Sequence, residues 1–288
     1  MTTAELADYL RLKQRKIYEL VRAKQIPCAR MTGKLLFPRR MIDLWIERHV
    51  ELAAPLPARA PPVLAGSHDP LLEWAVRESG CGLALLLTGS ADGLGEWAEG
   101  KALLAGIHMI GADGGYNLAA VQALSRLGDI VMLEWARREQ GLVIAPGNPR
   151  NIRGLADLKR RCLRVARRQE GAGAHLLLLH LLEDARIAVK DINLLDQPCL
   201  TETDLALAVL DRKADCGVAI RAVAQRFGLA FVPLKLERFD LVMRCRDYFE
   251  SPVQRLVRFA RGRAFADRAK ELGGYDLSGQ GEVSFTSG

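Results

Sequence analysis

Three junctions between an apolar stretch and a helical one carry the residue types that hold a small anion. "LAGSHDPLLEW" offers Ser67 and the N–H groups of His68 and Asp69 ahead of a helix. "LLTGSADGLGEW" offers Ser90 and Ala91 in the same relation. "RRQEGAGAHLLLL" offers Gly171, Ala172 and Gly173 at the start of a long apolar helix, with Arg168 just upstream. The first N–H groups of a helix have no intrahelical partner, and the helix dipole favours negative charge beside them. Glycine lets the backbone approach a ligand closely. Any one junction alone is better explained by a turn and a cap; three in one body favour a shared site. Thr201 and Thr203 add hydroxyl candidates.

Other chemistries fit less well. His175 and His180 in "HLLLLH" are five residues apart and do not share a helix face, whereas a helical metal pair needs i and i+4. "GADGGYN" lacks the full dinucleotide spacing. Ser67, His68 and Asp69 are chain neighbours whose side chains diverge rather than relay a proton. The expectation is therefore a binding protein and not an enzyme, with no metal and no resident cofactor, a small anion acting as effector.

The elements that must position these junctions lie in a chain of 288 residues, 49% hydrophobic, enough for about two domains. No uninterrupted apolar run is long enough to span a bilayer, and "MTTAELADYLRLKQRK" has no signal core, so a cytoplasmic protein without membrane contact is expected. The six cysteines are scattered without a C-x-x-C, which suits a reduced compartment. Residues 1–50 hold four lysines and seven arginines against two aspartates and three glutamates, +6 of the chain's +7. A basic excess confined to a small head is the footprint of a polyanion partner.

Four prolines between 55 and 62 mark a stiff linker. The division is a head at 1–52, a Pro-rich linker at 53–62 and a body at 63–288. In the head, Thr2 and Glu5 form a capping-box pattern ahead of an apolar face of Leu6, Tyr9 and Leu10. Ile17, Leu20 and Val21 give a second short helix its apolar face; "PCARMTGKLLFPRR" reads as a hairpin turning near Thr32-Gly33-Lys34, and "MIDLWIERH" as a closing helix. The segments "TTAELADYL", "KIYELVRAKQIP", the hairpin ending Phe37-Pro38-Arg39 and "MIDLWI" together resemble the excisionase/MerR-like winged helix-turn-helix family. The resemblance implies that the helix from Lys13 to Ala23 enters the major groove of double-stranded DNA and that the hairpin touches the backbone or minor groove. Lys13, Gln14, Arg15, Lys16, Tyr18, Arg22, Lys34 and Arg39 are the candidate contacts. The turn "RLKQRK" is more basic than the family's usual version, which favours phosphate contact over base reading.

The body alternates apolar strands ("PVLAG", "GLALLLTG", "GLVIA", "CLRVARR", "INLLD", "CGVAI", "FDLVMR") with helices expected at 70–79, 91–99, 116–127, 172–185, 203–212, 219–228 and 251–271. Such alternation predicts an α/β fold with mostly parallel sheets. The segments "GSHDPLLEWA", "TGSADGLGEWAEGKALLAGIHM", "VIAPGNPRNIRGLADLKR", "RRQEGAGAHLLL", "DRKADCGVAIRAVAQRFGLAFVPLKLERFDLVM" and "ELGGYD" resemble the substrate-binding domain of periplasmic molybdate/tungstate-type binding proteins, in the form fused to DNA-binding heads. That likeness implies two α/β lobes on a two-strand hinge, lobe 1 at about 63–145 and 235–288 and lobe 2 at about 146–232. It also implies a third cradle of Gly-Ser-Gly-Thr-Arg type, where this chain has Gly171-Ala172-Gly173-Ala174-His175. The tyrosine expected after "DCGVA" is replaced by Ile220. The ligand-binding candidates are Ser67, His68, Ser90, Ala91, Arg168, Gly171, Ala172, Gly173, Thr201 and Thr203.

The expected function is a ligand-responsive regulator that binds DNA as a homodimer and senses a small anion, an oxyanion or an organic acid. The alternatives are a ligand-independent architectural, excisionase-like DNA binder and a cytoplasmic oxyanion carrier.

Overall fold

The computed structural model describes residues 1–31, 33–49, 59–111, 114–124 and 128–287. The chain divides into two compact units, Met1–Ala58 and Arg59–Gly288. Most of the proline linker, and Thr32 in the hairpin turn, lie outside the described residues.

The first unit is a small winged helix-turn-helix. Helix α1, Thr3–Leu10, starts at a reciprocal cap: the Glu5 N–H donates to Thr2 Oγ1 (3.3 Å) and the Thr2 N–H donates to the Glu5 carboxylate (2.8 Å). Arg11, in the left-handed region at φ 53°, ends it, and α2 follows at Gln14–Arg22. An antiparallel hairpin of β1, Ala29–Met31, and β2, Lys34–Leu36, precedes α3, Arg39–Arg48. Leu6, Ile17, Val21, Ile26, Phe37 and Ile42 are buried together as the core. Tyr9, expected on the apolar face, is instead 42% exposed, because its hydroxyl donates to Asp43 on α3 at 2.7 Å and draws the ring to the surface.

The second unit is built on one sheet of nine strands with seven along its main path. Strands β3 (Val63–Gly66), β4 (Ala84–Leu86) and β5 (Leu104–Ile107) are mutually parallel, in the order β4-β3-β5. Next come β9 (Ala230–Arg244) and β6 (Ile130–Ile144), then β8 (Cys216–Ile220) and β7 (Val165–Ala166), the last two parallel. The short β10 (Tyr275–Asp276) and β11 (Val283–Ser287) pair with β6. The sheet is mixed, not mostly parallel as expected, because β6 and β9 are 15 residues each and pair antiparallel from Ile130↔Arg244 to Ile144↔Ala230. They thread the whole sheet, so both halves of the α/β body hang on one two-stranded ribbon. "GLVIA" and "FDLVMR" are only its ends.

Helices flank the sheet at α4 (Pro70–Glu78), α5 (Ser90–Ala98), α6 (Leu118–Gln122), α7 (Gly173–Asp184), α8 (Glu202–Leu210), α9 (Arg221–Arg226), α10 (Ser251–Ala260) and α11 (Arg263–Leu272). Residues 125–127 of the expected third helix lie outside the described residues. The expected single helix over 251–271 breaks after Ala260, where Gly262 serves as the N-cap of α11. "INLLD" forms only a bridge between Leu194 and Val165. Three glycines set how closely α5 sits on the sheet: a Cβ on Gly93 would lie 2.1 Å from Gly66 Cα, and one on Gly66 2.1 Å from the Gly106 carbonyl. That contact brings the N-terminus of α5 down to the ends of β3 and β5.

Candidate functional site

In the head, Ile17 and Val21 turn inward, which leaves Lys13, Gln14, Arg15, Lys16, Tyr18 and Arg22 exposed along the outer side of α2. Lys13 is the N-cap residue. Arg15 and Lys16 both approach Glu19, at 3.3 and 3.5 Å. Such exposed pairs are weak and are readily exchanged for a phosphate. A groove of about 660 Å3 runs between α2 and the hairpin, lined among others by Thr3, Tyr18, Arg22, Arg30, Gly33 and Lys34. Arg30, exposed on β1, was not among the residues singled out from the sequence. Its signal was the basic residue opposite Leu35 in the hairpin register. Arg39 belongs to the first turn of α3 rather than to the hairpin, and its guanidinium stacks over the Tyr9 ring, 5.1 Å from the centroid.

In the body, Ser67 follows β3 and Ser90 opens α5. Both are buried, and their hydroxyls meet at 2.8 Å. The His108 N–H, just past β5, donates to Ser90 Oγ at 3.0 Å. Three strand ends thus converge on one pair of hydroxyls. Helix α5 starts from Gly89, at φ 113°, with no side-chain cap. Helix α7 likewise starts from Ala172 with no side-chain cap. These helices follow β4 and β7, at opposite ends of the sheet path, yet their N-termini meet. A Cβ on Gly171 would lie 3.5 Å from Ala91 Cβ, and one on Gly173 only 2.4 Å from the His108 ring. Gly173 is therefore where α7 closes on the first cradle. By contrast, α4 and α8 are capped, by Asp69 through the Leu72 N–H (2.7 Å) and by Thr201 in a capping box with Asp204.

The remaining candidates lie around this point or are otherwise engaged. His68 pairs with Glu73 at 3.0 Å, and its Nδ1 is buried without a partner. Arg168 is buried; it donates weakly to the Cys199 carbonyl at 3.4 Å, its Nε has no partner, and burial lowers its pKa. Ala172 is buried. The Thr201 hydroxyl accepts from the Asp204 N–H as the α8 cap, and Thr203 sits half-buried two residues on, in the first turn.

Behind the cradle is a buried ionic cluster that sequence reasoning missed. Arg138, on β6, donates to Asp69 Oδ2 (2.9 Å) and to the Glu237 carboxylate on β9. Glu237 also accepts from Gln140 (3.1 Å) and faces His108 Nδ1 (2.9 Å), while the Tyr275 hydroxyl donates to Asp69 Oδ2 (2.7 Å). Asp69, Arg138 and Glu237 are 1%, 0% and 1% exposed. Burial works against the charge on Glu237, yet Arg138 and then His108 hold its pKa well below the usual carboxylate range. Burial works against the charge on Arg138 too, and Glu237 and Asp69 overcome it. The Tyr275 pKa is driven far up by burial and by Asp69. Asp69 was legible as an N-cap ahead of Pro70; Arg138 and Glu237 stand in charge-rich stretches that carry no motif.

Two groups of strands and helices on a shared ribbon, with the N-termini of α5 and α7 meeting between them, define a two-part α/β body. The PBP superfamily domain matches residues 72–261, more than half of the chain, and the chain belongs to that superfamily. A helix-turn-helix domain matches residues 1–50. Among curated proteins the chain is similar to "Uncharacterized protein YvgK" of Bacillus subtilis (strain 168), 23% identical over 305 residues that cover 98% of this chain and 96% of that one. Among solved structures it is similar to the tungstate ABC transporter of Geobacter sulfurreducens (12% identity, TM-score 0.54, 73% of this chain and 97% of that one). It is also similar to the effector-binding domain of QuiR in complex with shikimate (12% identity, TM-score 0.51, 69% and 93%). At these identities the likeness shows a shared fold. Among the described residues no helix is long and apolar enough to cross a membrane.

Proposed function

We propose that the protein is a ligand-responsive transcriptional regulator. The head binds double-stranded DNA, α2 reading base edges and the hairpin holding the backbone. The body binds a small anion, an oxyanion of the molybdate/tungstate type or a small organic acid. Ser67, Ser90, Ala91, Gly171, Ala172 and Gly173 surround it, and His68, Arg168, Thr201 and Thr203 lie at its margin. The observation that carries this reading is the meeting of two uncapped helix N-termini over a buried serine pair, in a chain that also holds a helix-turn-helix domain. A ligand can switch the protein only by binding one conformation better than another, and bending of the β6/β9 ribbon supplies two conformations. One such head covers a half-site, so the protein works as a homodimer, and it does so in the cytoplasm. The anion is an effector, and the fold is one of binding proteins rather than enzymes.

The test is DNA binding by the full-length protein to its own upstream DNA, followed by fluorescence anisotropy with and without an anion that calorimetry shows to bind. A shift of about tenfold in DNA affinity, and a dimer by light scattering, are expected. Equal affinity with and without bound anion leaves the architectural alternative; anion binding without sequence-preferring DNA binding leaves the carrier.

A further inference from the structure

The chain carries +7 and residues 1–50 carry +6, which leaves the body nearly neutral. Two stretches of it are nonetheless strongly basic. Residues 146–168 hold eight lysines and arginines against one aspartate, and residues 251–272 hold six against one aspartate and one glutamate. The two differ in what their cations do. In the first, most are committed to the fold. Arg150 and Arg164 share Asp215, at 3.3 and 3.2 Å. Arg160 donates to the Arg150 carbonyl at 2.9 Å and faces Asp157. Arg167 donates to the carbonyls of Leu195 and Asp196, and Arg168 is buried.

In the second stretch both acids are taken up within α11, Asp267 by Arg263 (3.5 Å) and Glu271 by Arg268 (3.0 Å). Helix α10 has no carboxylate of its own. Its inner side, Val253, Leu256 and Val257, is buried in the body's core. Arg255, Arg258 and Arg261, the last just past its end, follow one another three residues apart and are exposed. Arg255 makes one long bond to the Gly80 carbonyl, at 3.4 Å. The side chains of Arg258 and Arg261 have no hydrogen bond or ion pair among the described residues. Like charges one helical turn apart repel, and a row of phosphates relieves that repulsion. A lipid surface fits less well, because an amphipathic helix enters a membrane by its apolar side, and here that side lies in the core. Residues 50–58 join head to body and reach at most about 35 Å, so a head on DNA keeps the start of the body within about ten base pairs of duplex.

Resting on DNA binding by the head, we infer that the outer side of α10 is a second DNA contact, where Arg255, Arg258 and Arg261 hold the phosphate backbone beside the head's site. The contact adds affinity and reads no bases.

The experiment is fluorescence anisotropy of the full-length protein on two duplexes of its own upstream DNA, across a salt series. One is the shortest that still shows sequence preference; the other carries about 15 further base pairs on each side. The parent is expected to bind the longer duplex tenfold or more tighter. Arg255→Gln, Arg258→Gln and Arg261→Gln together should remove that advantage and flatten the slope of log affinity against log salt by about two to three, with sequence preference and circular dichroism unchanged. The same three positions changed to lysine should keep most of the advantage, since a phosphate contact needs the charge. Lys159→Gln, Arg161→Gln and Lys190→Gln together remove as much exposed charge elsewhere on the body and should leave the advantage intact. An equal loss in that control, or an α10 glutamine variant that matches the parent on both duplexes, overturns the inference and leaves the head's DNA binding standing. Binding to phosphatidylserine vesicles that the α10 substitutions abolish, with DNA binding unchanged, overturns it in favour of a lipid surface. A parent that binds neither duplex overturns the head reading and the inference together.

Discussion

Replacing Arg138 by methionine isolates what the buried cluster contributes. Methionine keeps much of the side chain's volume and removes the guanidinium, leaving Asp69 and Glu237 facing one another, at 1% exposure each, with no cation between them. Breaking a buried pair by removing one partner typically costs about 3–5 kcal/mol. Against a whole-domain stability of about 5–15 kcal/mol this is a large share. Asp69 still has the Leu72 N–H and the Tyr275 hydroxyl, and Glu237 still has Gln140, so the cost should stay within that range and not double. The assay is urea unfolding of the full chain, following the body's transition by circular dichroism. Adding Asp69→Asn and Glu237→Gln to Arg138→Met should recover most of the loss, because the cost is that of unpaired charge. The pH dependence has a definite sign. Without Arg138, burial raises both carboxyl pKa values, and a raised acid pKa gives stability that is present at low pH and lost as pH rises through the folded value. The variant should therefore lie closest to the parent near pH 5 and furthest from it near pH 8. In the parent, Glu237 is held well below this window and stays charged across it. A loss under about 1 kcal/mol, or a triple variant no more stable than the single one, would refute the reasoning.

Three more perturbations test separate parts of the molecule. DNA binding by the head should weaken steeply with salt; Gln14→Ala and Arg15→Ala should relax sequence choice, while Lys34→Ala and Arg30→Ala should weaken all sequences alike, and binding by anisotropy that ignores salt contradicts this. Gly173→Ala places a Cβ 2.4 Å from the His108 ring, so α7 must back away from the cradle; anion affinity measured by calorimetry should fall at least tenfold with a stability loss of about 1–3 kcal/mol, and an unchanged affinity rules out the packing argument. Burial pushes Asp240 up to about 6, against the pull of Asn117 and Arg238, from an ordinary value of 3.8. Its contribution to stability is thus present below the lower value and lost as pH rises through the upper. In denaturant titrations the parent should gain about 2 kcal/mol on Asp240→Asn as pH falls from 7.5 to 4.5, and parallel pH profiles would show the shift to be absent.

What the sequence displayed and what it hid divide along a physical line. Local rules were legible wherever a few neighbouring residues settle the matter. Thr2 with Glu5 set the start of α1, Ile17 and Val21 set the inner side of α2, and Gly89-Ser90 and Gly171 to Gly173 marked helix starts at the cradle. Apolar strands such as Cys216–Ile220 stood out for the same reason. The ribbon did not. Its middle reads "WARREQ" on β6 and "LKLERFD" on β9, charge-dense stretches that look like loop when taken one at a time. They are strand because each supplies the other's counter-charges: the ladder sets Arg138 opposite Glu237, 99 residues along the chain, and Asp69 closes the pair from a third element 69 residues away. No single-segment pattern encodes a partner at that distance. The three junctions were therefore visible one by one, while the buried cluster became visible only once the two strands lay side by side. An anion site is defined by the net charge of everything behind it as much as by the N–H groups in front. In this body the N-termini of α5 and α7 meet over a buried serine pair, and behind it two carboxylates are held on one arginine by strands that only the folded ribbon brings together.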